Sequence, residues 1–541
     1  MADTEEDNQA TFPPNPINGQ EPQDFSNGDK EDDDYEDGDD DDKDEEEEGD
    51  DDDDLQEPNL RKPQSRESVL LEQRFKINHL VQRLRSEEVP IRVHDVIIKG
   101  NTKTKDWIIE AELQEIRNAK TMQELLKTTQ IALAKLKKLG IFDSGTVTLE
   151  AGPPEFGDVA NVIVHVSEAK SNISAELSAY GKPSASSWVA EGALKYKNLL
   201  GYGDIWDGSL AYGANGTSEV SVGLLAPRVK GFVTPAVVRV SLLSQDWQEF
   251  CSYKERSLGM SLGLFSTKHH DLVYNLGWRT LTDPSQMSSR SIRRQLGHGL
   301  LSSLKYTFKI DRRNSSIRPT KGYAFLSTTQ LGGLTPDIRS LRFLRQEFDV
   351  RYALPFGFYK SALNLGMSAG VVFPWGCGFL NKPSPLPEKF FLGGDFSPVC
   401  TLGGPTTIWG FKTRGLGPTE PRRENRDDND DDAYEMDFIG GDLAVTAFAD
   451  LSFDLPVRWF RERGIHGHVF ASAGNIAKLT ENEYRHFSPR KFLESFRMSV
   501  GCGIVIPTRL FRIEGNFYHG LRQHEHDRAR TGFRLNLSAP S

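Results

Sequence analysis

The chain has 541 residues, 78 of them acidic and 65 basic, for a formal net charge of −13. The charge is segregated: residues 1–54 hold 27 acidic and 2 basic residues, which leaves the remainder with a net charge of +12. So acidic a head repels nucleic acid, and with so little apolar material it is excluded from any core. Four cysteines, Cys251, Cys377, Cys400 and Cys502, are far apart and form no C-x-x-C, so neither a disulfide framework nor a structural metal is expected. The N-terminal end lacks an apolar signal core and is acidic where a transit peptide is arginine-rich, so it predicts neither secretion nor import into a matrix or stroma.

In chain order, residues 1–60 read as a disordered acidic tail. Two roles stay open for it, an electrostatic bait for basic partners or a solubilising arm. Residues 61–90 form a helical linker, because Leu70, Leu71, Phe75, Ile77, Leu80, Val81 and Leu84 follow helical spacing between Ser68 and Glu87. Residues 91–170 form a small α+β domain. Its first strand is Ile91–Lys99, and a helix is predicted from Asn101 and Thr102 through Trp107–Ile116. A second helix starts at Thr121, with Leu125, Leu126, Ile131, Leu133 and Leu136 on its apolar face and Gly140 just past its end. Strands Gly145–Glu150 and Asn161–Glu168 complete the order β-α-α-β-β.

From residue 171 to 541 the texture changes to strict alternation. Leu363, Leu365, Met367, Ala369, Val371 and Phe373 interleave with Asn364, Gly366, Ser368 and Gly370, and Leu443–Phe453 repeats the pattern. Successive side chains of a strand point to opposite faces, so each run has one apolar and one small or polar face. About sixteen such runs begin near Asn172, Trp188, Asp204, Glu219, Thr234, Glu255, His270, Leu300, Gly322, Phe343, Ala362, Gly441, Ile465, Ser495, Phe511 and Thr531. Connections after even-numbered runs are mostly short and those after odd-numbered runs mostly longer, the arrangement of a transmembrane β-barrel of about 16 antiparallel strands. The stretch Ser361–Asn381 carries no charge over 21 residues, long enough for a membrane helix, but Pro374, four glycines and a period of two read as a strand. Between the eleventh and twelfth runs lies a loop over 375–440, far longer than a usual connection. It holds an apolar, glycine-punctuated stretch, Thr406–Pro418, and a polar insert, Arg422–Asp437.

Reactive chemistry is not indicated. G-x-S-x-G occurs at Gly259–Gly263 and Gly366–Gly370, but a nucleophile elbow needs a strand-to-helix turn, and both serines, Ser261 and Ser368, lie within alternating strands. His466 with His468, and His524 with His526, lack a third ligand. No phosphate loop or dinucleotide fingerprint appears, so the reading is of a protein that is not an enzyme and needs no cofactor or metal.

Several motifs recur in an order that is informative. Leu139-Gly140-Ile141-Phe142 precedes Lys197-Asn198-Leu199-Leu200-Gly201. These are followed by Asp311-Arg312-Arg313-Asn314 with Pro319-Thr320-x-Gly322, then Phe391-Leu392-Gly393-Gly394, Ile408-Trp409-Gly410-Phe411 and Gly415-Leu416-Gly417-Pro418. In this order the chain from Ile91 to Leu537 resembles the BamA-type superfamily of barrel-assembly proteins, most closely its mitochondrial sorting-and-assembly (Sam/Tob) branch. The resemblance implies that residues 91–170 are a single POTRA domain, that Asp311, Arg312, Pro319 and Gly322 shape the turn after the eighth strand, and that Ile408, Trp409, Gly410, Phe411, Gly415, Gly417 and Pro418 belong to a loop inserted into the lumen. It implies insertion of β-barrel precursors into the mitochondrial outer membrane, with unfolded precursors, accessory subunits of an assembly complex and the lipid bilayer as partners and no nucleic acid. The POTRA domain and the tail would lie in the intermembrane space; the plastid outer envelope is the alternative location. Arg530 to Leu537 resembles the family's β-signal, so Arg530, Gly532, Leu535 and Leu537 would form the closing strand, and Ile173, Ala175, Leu177 and Ala179 the edge of a lateral gate that receives client strands. A preprotein translocation channel and a passive pore use the same fold. Two departures stand out. Trp409 occupies the place where the family loop has an arginine that pairs with an acidic group on the wall, leaving Lys412 and Arg414 as nearby cations, and Asp395–Thr401 with 424–437 are extra segments.

Overall fold

The computed structural model describes residues 89–538 except 154–158, 171, 183–186, 214–215, 229–233, 268, 338, 358, 377–380, 395, 424–434 and 509–511. The acidic tail, the helix predicted over Ser68–Glu87 and most of the acidic insert lie outside the described residues.

The small domain is a three-stranded sheet with β1 (Arg92–Lys99) parallel to the central β3 (Val159–Glu168) and β2 (Phe142–Ala151) antiparallel to it. Two helices cover one face. The first, α1, is Asp106–Leu113, shorter than its predicted extent, and it does not begin at Thr102, whose hydroxyl instead donates to Glu168 at 2.6 Å. The second, α2, is Met122–Lys138; the Thr121 side chain caps it by accepting from the Glu124 N–H at 3.2 Å. Gly140 follows with φ +70. Ile109, Leu113, Leu125, Leu136, Val162 and Val164 interlock as a core between helices and sheet, so the helical and period-2 stripes of the sequence converge on one interior.

Sixteen further strands form one antiparallel sheet. They are β4 (Ile173–Lys182), β5 (Ser187–Lys197), β6 (Ile205–Gly213), β7 (Ser218–Ala226), β8 (Ala236–Asp246), β9 (Lys254–Thr267), β10 (His270–Thr282), β11 (Gly297–Asp311), β12 (Gly322–Gly332), β13 (Phe343–Pro355) and β14 (Ala362–Pro374). A short ribbon inside the long loop supplies β15 (Thr419–Pro421) and β16 (Met436–Phe438), after which β17 (Leu443–Asp454), β18 (His466–Ala477), β19 (Arg497–Pro507), β20 (Arg512–Arg522) and β21 (Gly532–Ser538) complete the sheet. The uncharged stretch from Ser361 is thus a strand, paired from Ala362↔Ser452 to Val371↔Leu443. Among the described residues no helix is long and apolar enough to cross a membrane.

The two faces are inverted relative to a soluble protein. Asn364, Ser368, Asp450, Ser452, His468, Ser472 and Asn516 are buried, while Leu365, Met367, Leu451, Val469, Phe517 and Leu535 are exposed on the alternate positions. A continuous apolar outer face over sixteen strands is stable only against hydrocarbon, with the polar face turned to the lumen.

The turn after β5 joins the barrel to the small domain. Gly201 accepts from the Lys105 N–H at 2.8 Å, and the Asn198 amide donates to Thr104 at 2.9 Å. Gly201 has φ +83, and a side chain there would meet the Lys103 carbonyl at 2.3 Å. Beneath this contact Glu168 gathers the Thr102 and Thr104 hydroxyls and the Lys103 and Thr104 N–H groups. Burial alone would raise its pKa, but these donors outweigh it and hold the carboxyl at about 2.

Candidate functional site: the lumenal loop and the closing seam

The loop between β14 and β17 folds back into the barrel because its apolar residues find a partner surface only there. Ile408, Trp409, Phe411 and Leu416 are at most 1% exposed. Trp409 lies against the lumenal faces of β17, β18 and β20: its ring centroid is 4.2 Å from Phe470 and 5.8 Å from Phe448, and Tyr518 completes the cluster. Its carbonyl accepts from the Ser472 and Ser499 hydroxyls. The indole N–H is buried and has no acceptor among the described residues, so the ring holds the loop by packing.

A tryptophan can stand here because the wall satisfies its own carboxylates. Asp450 bonds His468 Nδ1 at 2.7 Å, His468 Nε2 meets Asn516 at 2.7 Å, and Glu514 pairs with Arg512 on the same strand. Among the described residues, the wall acids Asp450 and Glu514 are thus already partnered, and the space opposite Trp409 is aromatic. Of the two nearby cations, Lys412 contributes through its backbone. Arg414 stacks between Trp247 (3.4 Å) and Phe391 (4.0 Å) and donates to the Tyr253 hydroxyl at 3.0 Å.

Gly410 sits where the loop passes closest to the wall. It has φ +82, and a Cβ would fall 2.9 Å from Ser499 Cβ, so both conformation and space demand glycine. Ile408, Phe411 and Leu416 join Leu392, Val372, Ala444 and Ile476 in a second apolar cluster, and Gly417 leaves room for Ile476. Pro418 accepts from the Ile439 N–H at 3.1 Å as the loop leaves the lumen. The described part of the extra segment, residues 396–401, is docked as well: Val399 and Cys400 are buried, and the Val399 carbonyl accepts from Arg313 at 3.0 Å.

The turn after β11 meets the loop from the other end. Asp311 fixes the Arg313 guanidinium that holds Val399, and Arg312 lies over Tyr323 at 5.9 Å. Pro319 borders a small cavity beside Arg351 and Val399. Gly322 has φ +110, and a Cβ there would strike the Arg312 carbonyl at 2.2 Å.

Sequence reasoning missed the partner of the loop. Phe411 forms a bridge to Ala529, the Lys412 N–H donates to Arg528 O at 2.9 Å, the Arg528 N–H to Gly415 O at 2.8 Å and the Arg530 N–H to Gly410 O at 2.8 Å. Residues 528–530 thus pair with the loop just before β21. This corrects the reading of Arg530 as part of the closing strand. That strand is Gly532–Ser538, paired from Gly532↔Tyr518 through Leu535↔Gly515 and Leu537↔Ile513 to Ser538↔Arg512. The alternation of Ala529 with Arg528 and Arg530 continued the β21 pattern and hid the diversion. Also missed was a roof in which Trp247, Phe250, Tyr253, Ile292 and Phe438 from the long loops pack with Leu281 of β10; its signal is the aromatic run after Gln245.

The first strand lies apart from this assembly. Ile173, Ala175 and Leu177 are exposed on the outer face, and their registered partners are Tyr196, Leu194 and Gly192 of β5, with Ala179 opposite Ala190. β4 and β21 are the two ends of the hydrogen-bonded strand order, and they run side by side. Among the described residues no group of His, Cys, Asp and Glu is arranged to hold a metal ion.

The Omp85 superfamily domain matches residues 198–539. The sorting and assembly machinery component 50 homologs of Mus musculus and Homo sapiens are each 28% identical over 444 residues, covering 80% of this chain and 86% of theirs. A SAM50-like protein of Schizosaccharomyces pombe is 26% identical over 346 residues, covering 63% of this chain and 66% of its own. In fold, the chain is similar to BamA from Haemophilus ducreyi lacking POTRA domains 1–3, with a TM-score of 0.66 at 15% identity, over 83% of this chain and 84% of that one. The domain match covers more than half of the chain, which belongs to the Omp85 superfamily.

Proposed function

We propose that this protein assembles and inserts β-barrel precursors into the mitochondrial outer membrane, working with accessory subunits of an assembly complex. The small domain acts as a POTRA domain in the intermembrane space. The observation that carries this reading is the seam. The closing strand spans only seven residues, Gly532–Ser538, and its lead-in at 528–530 is bonded to the lumenal loop. An unpaired strand edge is costly in hydrocarbon, where each lost backbone partner costs several kcal/mol. A client strand that pairs with the edge Ile173–Ala179 as β21 leaves exchanges one set of backbone hydrogen bonds for an equal set, so no nucleotide is needed. The names of the relatives support the assembly role, and a lumen occupied by the loop speaks against a passive pore.

Cysteines placed at Ile173, Ala175, Leu177 and Ala179 are expected to crosslink to an arrested barrel precursor carrying a cysteine in its last strand. No crosslink at any of the four positions would refute the edge. Depletion of the protein is expected to abolish assembly of radiolabelled barrel precursors while matrix import continues; the reverse result would make it a translocation channel.

A further inference from the structure

We infer that two neighbouring turns on the small-domain side of the barrel form a binding surface for anionic phospholipid headgroups. Strands alternate in direction, so the turns after β13 and β17 emerge at the same end as the β5 turn that touches the small domain. They are adjacent: the Asp454 N–H donates to Tyr359 O at 3.1 Å. The second turn carries a short helix, Arg458–Glu462.

Its apolar groups extend the lipid-facing stripe of the barrel. Along β17 the outward positions Leu451 and Phe453 are followed at the same period by Leu455 and Val457, and Val457, Trp459, Phe356 and Tyr359 are all at least 50% exposed. Aromatic side chains that continue an apolar belt at the end of a strand sit at the headgroup level. The cations are on the same turns. Arg458, Arg461, Arg463 and Lys360 are exposed, and the two turns contain a single carboxylate, Glu462, which is bonded to Arg458 at 3.2 Å. Arg463 lies over the Trp459 ring at 4.5 Å. The surface therefore presents a net charge of +3 directly beside groups that favour hydrocarbon. A soluble acidic partner would match the charge but leave the apolar stripe facing water, whereas an anionic lipid satisfies both with its headgroup and acyl chains.

The test uses the full chain reconstituted in phosphatidylcholine vesicles doped with brominated phosphatidylglycerol or brominated phosphatidylcholine. Subtracting the Trp459→Phe protein from the native one isolates quenching of Trp459. The anionic lipid is expected to quench it about threefold more effectively at low salt, a preference abolished by raising the salt. The variant Arg458→Gln, Arg461→Gln, Arg463→Gln is expected to quench equally with both lipids, with heat-modifiable mobility confirming a folded barrel. Equal quenching of the native protein by both lipids overturns the inference, as does quenching by neither, which would place the turn in water. No client enters the assay, so its result is independent of the assembly role.

Discussion

The two halves of the barrel wall are built differently. From β17 to β20 the lumenal face is filled: Phe448, Phe470 and Tyr518 clasp Trp409, and the residues between them form ion pairs and hydrogen bonds along and across strands. From β4 to β7 the same chemistry of alternation produces a thin wall. The strands have nine to eleven residues, Val189 and Ala211 make up the buried apolar cluster there, and an open depression of about 620 Å³ is lined by Ala175, Leu177, Gly192, Gly208 and Ser221 among others. The difference teaches that closure is held from one side. The loop is anchored to the firm half, grips residues 528–530, and so holds the strand that must meet the soft half.

The largest effect should come from removing the anchor. Trp409→Ala leaves a cavity among the rings of Phe448, Phe470 and Tyr518 and should destabilise the barrel by about 3–5 kcal/mol, read as a lowered thermal midpoint in detergent. Leu210→Ala, on the soft half and 62% exposed, should change it by less than ~0.5 kcal/mol. Trp409→Phe keeps the packing and removes an N–H without an acceptor, so it should stay within about 1 kcal/mol of the native protein. Equal losses for Trp409→Ala and Leu210→Ala would remove the contrast between the halves.

Next is Gly410→Ala, which meets both a left-handed φ and the Ser499 side chain; about 1–3 kcal/mol is expected by the same measurement. The matching change on the soft half, Gly208→Ala, adds a methyl with nothing within 4 Å and should be close to neutral. Smaller again is Arg530→Pro, which deletes the N–H bonded to Gly410 O. One backbone hydrogen bond is worth about 1 kcal/mol, so amide exchange in β21 should quicken roughly fivefold while that in β18 is unchanged.

The smallest effect lies outside the barrel. The folded pKa of Glu168 is about 2, below the ordinary carboxylate value of 4.5, so its contribution is present above pH 4.5 and lost as pH falls towards 2. The protection factors of the amides of residues 102–105, taken against the intrinsic rate at each pH, should fall over that window in the native protein. Glu168→Gln should show the lower protection already at pH 7, with no further step on acidification.

Much of the architecture is legible in the amino-acid sequence. A strand's period is two regardless of its surroundings, so Leu363–Phe373 and Leu443–Phe453 declared both their conformation and their two faces. Turn chemistry was equally local: Gly322 is required by a backbone oxygen ten residues earlier in the chain, Arg312 O. Boundaries were less sharp where two signals compete. The eighth strand begins at Gly297 rather than near Leu300, because Gly297, His298 and Gly299 lack an apolar side chain yet pair with Leu281, Thr280 and Arg279.

The candidate site divides along the same line. The loop motif was visible as an apolar stretch too long for a connection, and its insertion followed from the resemblance. What the residues by themselves determined was alternation, turn type and the segregation of charge, since each depends on neighbours within a few positions. Only the tertiary structure decided that Trp409 is held by packing against Phe448 and Phe470, that Arg414 is held by Trp247 and Phe391, and that Arg530 belongs to the loop and not to the closing strand. Those choices depend on which groups arrive opposite one another from segments as far as 279 residues apart, as in the bond that the Arg528 guanidinium donates to the Glu249 carbonyl. Barrel closure sets that arrangement, and no local pattern encodes it.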